Sequence, residues 1–195
     1  MGMRELSHVC VYAGAADGAR AVYASGASEL GRAIARRGSV LVYGGGKVGL
    51  MGHVADGAIA SGGKAIGIIT HELKLKEIGH DRLTELRVVE SMHERKMALA
   101  DLAQAFVALP GGVGTYDELL EVLCWSQLGI HEKPIGLLNL GGFFDPLVAM
   151  LRHTAAEGFL RIKLDEALVV DEEPGRLLDR LAAWGGIGTR TWPTQ

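Results

Sequence analysis

Two cysteines, five prolines and no cluster of positive charge are the sparse features of this 195-residue chain. Cys10 and Cys124 stand far apart with no CxxC and no dense pairing pattern, which excludes a disulfide-stapled secreted scaffold and predicts two buried free thiols. Twenty Lys and Arg are set against 23 Asp and Glu, a formal charge of −3, and the basic residues form no run. Neutralising phosphates needs clustered positive charge, so neither a nucleic-acid polymer nor an anionic membrane is expected as a partner. Asp101, Pro110, Glu132 and Asp145 break the apolar stretches before they reach the ~18 residues of a spanning helix. The start, MGMRELSHVCVY, lacks a signal-peptide core and cleavage pattern, and a cytoplasmic location is expected.

Catalytic devices are missing too. There is no GxSxG, and neither cysteine belongs to a motif that links it to a histidine, so nucleophilic catalysis has no support. His93-Glu94 opens like a zinc-binding HExxH, but Met97 stands where the second histidine would be, and no metal site is expected.

What is abundant is glycine, 28 residues, about twice the usual ~7%. With 48% apolar residues and this length, a single globular domain is expected over 1–184, followed by a flexible tail at 185–195. Short apolar runs at 8–12, 40–43, 65–69, 86–89, 105–109, 135–138 and 167–169 alternate with amphipathic stretches at 20–37, 50–60, 92–103, 115–127, 143–157 and 174–184. Runs such as VLVY and AFVAL show no polar alternation, as when helices cover both faces of a parallel sheet. The fold class predicted is a single-domain α/β protein with a doubly wound, mostly parallel, Rossmann-like sheet, whose ligands lie beyond the carboxyl ends of the strands. The one long connection, 70–85, is charged and polar.

Three turns lie at that edge. The first, Ala13-Gly14-Ala15-Ala16-Asp17-Gly18, can offer backbone donors but no hydroxyls. The second, Gly44-Gly45-Gly46-Lys47-Val48-Gly49, satisfies GxGxxG formally. Its place after the second strand counts against a dinucleotide site, and Val48 follows Lys47 where a Walker A loop needs Ser or Thr. An NAD site would also need an acidic residue about 20 positions on, where only Glu72 is near. The third, Pro110-Gly111-Gly112-Val113-Gly114-Thr115, opens an apolar helix. Its bare N–H groups, the Thr115 hydroxyl at a cap-like position and the helix dipole suit a phosphate, at about 0.3–1 kcal/mol per anionic contact. Glu118 follows at capping-box spacing from Thr115, so spacing leaves cap and catalyst equally open. Arg95 and Lys96 are adjacent charges on an otherwise apolar helix, readable as solvated charge or as site residues.

Met92-His93-Glu94-Arg95-Lys96 together with Pro110-Gly111-Gly112-Val113-Gly114-Thr115-Tyr116-Asp117-Glu118 resemble the paired signature of the LOG (LONELY GUY) family, the cytokinin riboside 5′-monophosphate phosphoribohydrolases. The likeness extends over 44–52 and 125–139 and ends near 157–160. A lysine decarboxylase label has been attached to such sequences, yet no pyridoxal phosphate site can be traced here. The resemblance implies hydrolysis of the N-glycosidic bond of cytokinin riboside 5′-monophosphates or AMP, with no cofactor or metal, and a homodimer. It implies Arg95 and Glu118 as the catalytic pair. Met92, Lys96, Gly111, Gly112, Val113, Gly114 and Thr115 would line the substrate site, with Gly45, Gly46 and Glu77 also in contact. Arg95 would either stabilise the departing base or hold the phosphate. A non-catalytic nucleotide or molybdenum-cofactor carrier of the same fold is the alternative. Two departures stand out: alanines replace the family's serines in the first turn, and Cys124 replaces a common threonine.

Overall fold

The computed structural model describes residues 4–76 and 79–188. Seven strands, β1 (His8–Tyr12), β2 (Val40–Tyr43), β3 (Lys64–Thr70), β4 (Glu85–Val89), β5 (Ala105–Ala108), β6 (Ile135–Leu138) and β7 (Leu168–Asp171), form one parallel sheet in the order β4-β3-β2-β1-β5-β6-β7. The predicted doubly wound fold is present. The order reverses between β1 and β5, and a crevice at their carboxyl ends is the geometric consequence.

The central strands are apolar on both faces because each face meets its own layer. On β1, Val9 and Val11 join a core with α1 (Ala21–Arg36), α2 (Gly49–Ala60) and α8 (Pro174–Ala182). Cys10 and Tyr12, one residue out of phase, join a second core with α4 (Met92–Leu102), α5 (Val113–Leu128) and α6 (Asp145–Ala156). On the first face α1 and α2 pack backbone to backbone. A Cβ on Gly31 would strike the Val54 carbonyl and lie 2.7 Å from Ala58 N, and one on Gly57 would strike the Ser28 carbonyl.

Five local differences from the sequence reading matter. Cys124, expected to be buried like Cys10, is exposed, because it falls on the outward face of α5 while Cys10 lies within β1. The 70–85 connection contains a short helix, α3 (His71–Lys76), begun where the Thr70 hydroxyl accepts from Leu73 N at 3.3 Å. A second short helix, α7 (Leu164–Ala167), precedes β7. Helix α5 starts two residues earlier than predicted, with Gly112 as its N-cap. Of the predicted tail, 185–188 folds back: Gly188 N donates to Glu166 Oε2 at 2.9 Å and Ile187 packs against both cores. Residues 189–195 lie outside the described residues, as does Glu77.

Candidate active site

The three glycine-bearing turns are sewn to one another. Gly14 N donates to the Pro110 carbonyl at 3.1 Å, tying the first turn to the third, and Met51 N donates to the Gly14 carbonyl at 3.3 Å, tying α2 to the first. The approach is close enough that a Cβ on Gly14 would sit 3.0 Å from Gly111 Cα. Gly49, at φ +61°, starts α2 directly against the Ala15–Ala16 backbone, where a side chain would collide. Between these turns and the start of α4 opens a cleft of about 330 Å³.

The cleft has one charged pair in its wall. Helix α4 is capped by Ser91, whose Oγ accepts from Glu94 N at 3.1 Å, while Glu94 Oε2 reaches back past the cap to accept from Glu90 N at 3.1 Å. Arg95, the fourth residue of the helix, points inward and is only 6% exposed. Its Nε donates to the Ile68 carbonyl at 3.0 Å and its Nη1 to Glu118 Oε1 at 2.9 Å. Gly44 lies against the same guanidinium, with room for no side chain: a Cβ there would strike Nη2. With α5 starting at Val113, Glu118 falls in the second turn, beyond reach of the cap position, and its carboxylate is engaged by Arg95. The capping-box reading of Glu118 is therefore corrected.

Burial raises the Glu118 carboxyl above its ordinary range, against the opposing effect of the Arg95 charge and hydrogen bond. A carboxyl raised by burial beside a fixed cation, in a cleft with the open N–H groups of a helix start, can exchange a proton with a bound water and, when ionised, stabilise nearby positive charge.

Of the residues expected from sequence, Met92, Arg95, Gly112, Gly114, Thr115 and Glu118 line this cleft. Others stand apart. Lys96 is held by Asp117 (Nζ–Oδ2 2.7 Å) and Glu121 (3.5 Å). Val113 is 85% exposed at the start of α5. Gly111 lines a neighbouring apolar depression of about 370 Å³ beside Tyr23 and Phe143. Gly45 and Gly46 turn their backbone toward a different loop: the Gly45 carbonyl accepts from His80 N and Gly46 pairs with Gly79. Sequence reasoning missed Met51, Leu73 and Asp117 in the cleft wall. Met51 and Asp117 lie within the motifs themselves, whereas Leu73 is brought there by α3, which left no periodic signal.

Residues 51–181 match the family model described as "Possible lysine decarboxylase". The chain is 49% identical to the cytokinin riboside 5′-monophosphate phosphoribohydrolase LOG of rice over 78% of its own length and 63% of that protein's. It is 49% identical to the cytokinin riboside 5′-monophosphate phosphoribohydrolase of Rhodococcoides fascians, covering 78% of this chain and 77% of that one. The chain belongs to the LOG family. Among solved structures, the molybdenum cofactor binding protein of Rippkaea orientalis superposes with a TM-score of 0.67 at 22% identity, covering 92% of this chain and 97% of that one. At that identity the likeness is one of fold alone.

Proposed function

We propose that the chain hydrolyses the N-glycosidic bond of cytokinin riboside 5′-monophosphates or AMP, taking up one water and releasing the free adenine-type base and ribose 5-phosphate. The observation that carries this is the buried Arg95–Glu118 pair set in a cleft that also holds the open N-terminus of α5. The 5′-phosphate is assigned to the N–H groups of Gly112, Gly114 and Thr115, where the helix dipole favours negative charge. The ribosyl centre then faces Glu118. Bond breaking at C1′ leaves positive charge on the sugar, which a carboxylate stabilises, and the same carboxylate takes the proton of the attacking water. Arg95 fixes the orientation of Glu118 through a charge-assisted hydrogen bond and sets its positive charge beside the departing base or the phosphate.

The decarboxylase label attached to the family model does not suit these residues. Pyridoxal phosphate chemistry needs a lysine to form a Schiff base, and among the described residues lining the cleft none is a lysine.

The reading includes a homodimer, supported by α5, whose Val113, Leu120, Cys124 and Leu128 are all exposed and recur on one helical face. The exposed free thiol of Cys124 suits the reducing cytoplasm; among the described residues no helix is long and apolar enough to cross a membrane.

The test is chromatographic detection of base release from AMP, from isopentenyladenosine 5′-monophosphate and from the unphosphorylated nucleosides. Release from monophosphates only supports the assignment. Tight nucleotide binding without release would instead make this chain a carrier.

A further inference from the structure

The glycine turn beneath Arg95 is held from outside the cleft by a group that neither the motifs nor the catalytic pair accounts for. His80 lies in the segment between α3 and β4, and its side chain is fully buried. Its backbone N–H donates to the Gly45 carbonyl at 3.0 Å, beside the Gly46–Gly79 bridge. The ring makes two further contacts. Nδ1 accepts from Arg82 N at 3.2 Å, so Nδ1 carries a lone pair and the ring proton sits on Nε2. Nε2 faces Asp56 Oδ1 on α2 at 3.2 Å, and Arg82 closes on the same carboxylate oxygen. Lys47 and Asp81, paired at 3.1 Å, fasten the outer end of the same two segments.

We propose, resting on the phosphoribohydrolase reading, that His80 is a positioning residue for the reaction: with Asp56 it clamps the 79–82 segment onto the Gly44–Gly46 turn and so sets the surface against which the Arg95 guanidinium is seated. The physical chain is short. Gly44 touches Nη2 of Arg95, and Gly45, at φ +80°, has its carbonyl turned out to His80. Moving that carbonyl moves the Gly44 wall, and Arg95 carries Glu118 with it through their 2.9 Å bond. A displacement of ~1 Å in such a constellation costs up to ~10²-fold in turnover. Imidazole suits the place because it supplies an acceptor to Arg82 and a donor to Asp56 from one rigid, buried ring.

The experiment compares wild type with His80→Ala, His80→Gln and Asp56→Ala, reading steady-state kinetics on AMP and hydrogen exchange of the 44–46 amides in each. His80→Ala is expected to lower kcat by about 10–100-fold with KM changed by less than about threefold, and to speed exchange at 44–46. Gln retains a donor for Asp56 and recovers most of kcat. Asp56→Ala loosens the same amides from the exposed side without emptying the core, and so decides the matter if His80→Ala fails to fold. Unchanged kcat in a folded His80→Ala, or a loss of kcat with unaltered exchange at 44–46 in both alanine variants, overturns the proposal. If wild type itself releases no base, the phosphoribohydrolase reading fails, and the exchange data together with AMP binding by calorimetry still decide whether the clamp shapes the cleft.

Discussion

Glu118 is subject to two opposing influences, burial that favours its neutral form and a 2.9 Å bond to Arg95 that favours the ionised one, and burial dominates. A carboxyl raised in this way is protonated at a higher pH than a solvated glutamate, near 4.3. If the ionised form receives the proton of water, kcat/KM falls as pH drops through the raised value, and the acid limb of the profile lies above ~4.3. A limb at or below the ordinary value would remove Glu118 from that role. Glu118→Gln is expected to fold and to lose about 10²–10⁴-fold in turnover. Arg95→Lys is also expected to cost at least ~10-fold in kcat/KM, because an ammonium cannot hold Ile68 O and Glu118 at once with the planar fork that spans them. A lysine variant with full activity would reduce Arg95 to a generic charge.

At the scale of elements, α4 and the α1–α2 pair show how local sequence and tertiary contact divide the work. The Ser91 cap sets where α4 begins and therefore which way Arg95 faces one residue into the next turn. Ser91→Ala is expected to destabilise the fold by about 1 kcal/mol, measured by urea denaturation, with kcat lowered along with it. The α1–α2 contact gives a prediction of opposite sign to helix propensity. Propensity alone says Gly57→Ala should stabilise α2 by about 1 kcal/mol. The new methyl would meet the Ser28 carbonyl, a backbone atom that cannot swing aside, so a net loss of about 1–3 kcal/mol is expected. A raised melting temperature would show that the helices separate freely.

Across the whole molecule, β7 and α8 close the far side of the sheet from β4, and Asp171 joins them. Its side chain is buried, with Arg176 Nη2 at 2.7 Å and Arg180 Nη1 at 3.0 Å. The hydrogen bonds from Arg176, chiefly, hold its carboxyl well below the ordinary range. A depressed carboxylate contributes stability that is present above its unfolded value of ~3.9 and is lost as pH falls toward the folded one. Asp171→Asn is therefore expected to lose about 1–3 kcal/mol at pH 7, with the gap to wild type narrowing as pH drops below ~3.9. A gap independent of pH would mean that shape, not charge, is what Asp171 supplies.

Read as a string, the chain already determined its sheet, its helix layers and the edge where chemistry sits. Those depend on local properties: apolar runs too uniform for a half-exposed sheet, glycines placed after strands, and a helix start rich in free N–H groups. The strand cores and the cleft positions of Gly112, Gly114 and Thr115 were legible for that reason, whereas Met92, Arg95 and Glu118 were assigned to the site through the resemblance. The resemblance named the catalytic pair, but spacing could not separate cap from catalyst at Glu118. The cap reading was removed when Gly112 took the cap and Arg95, 23 residues away, took the carboxylate. Likewise Lys96 was directed to Asp117 and Glu121, Leu73 was carried into the cleft by α3, and His80 was buried against Gly45 and Asp56. Each of these turns on contacts between segments distant in sequence, whose distances and burial exist only once the sheet has brought the loops to one edge.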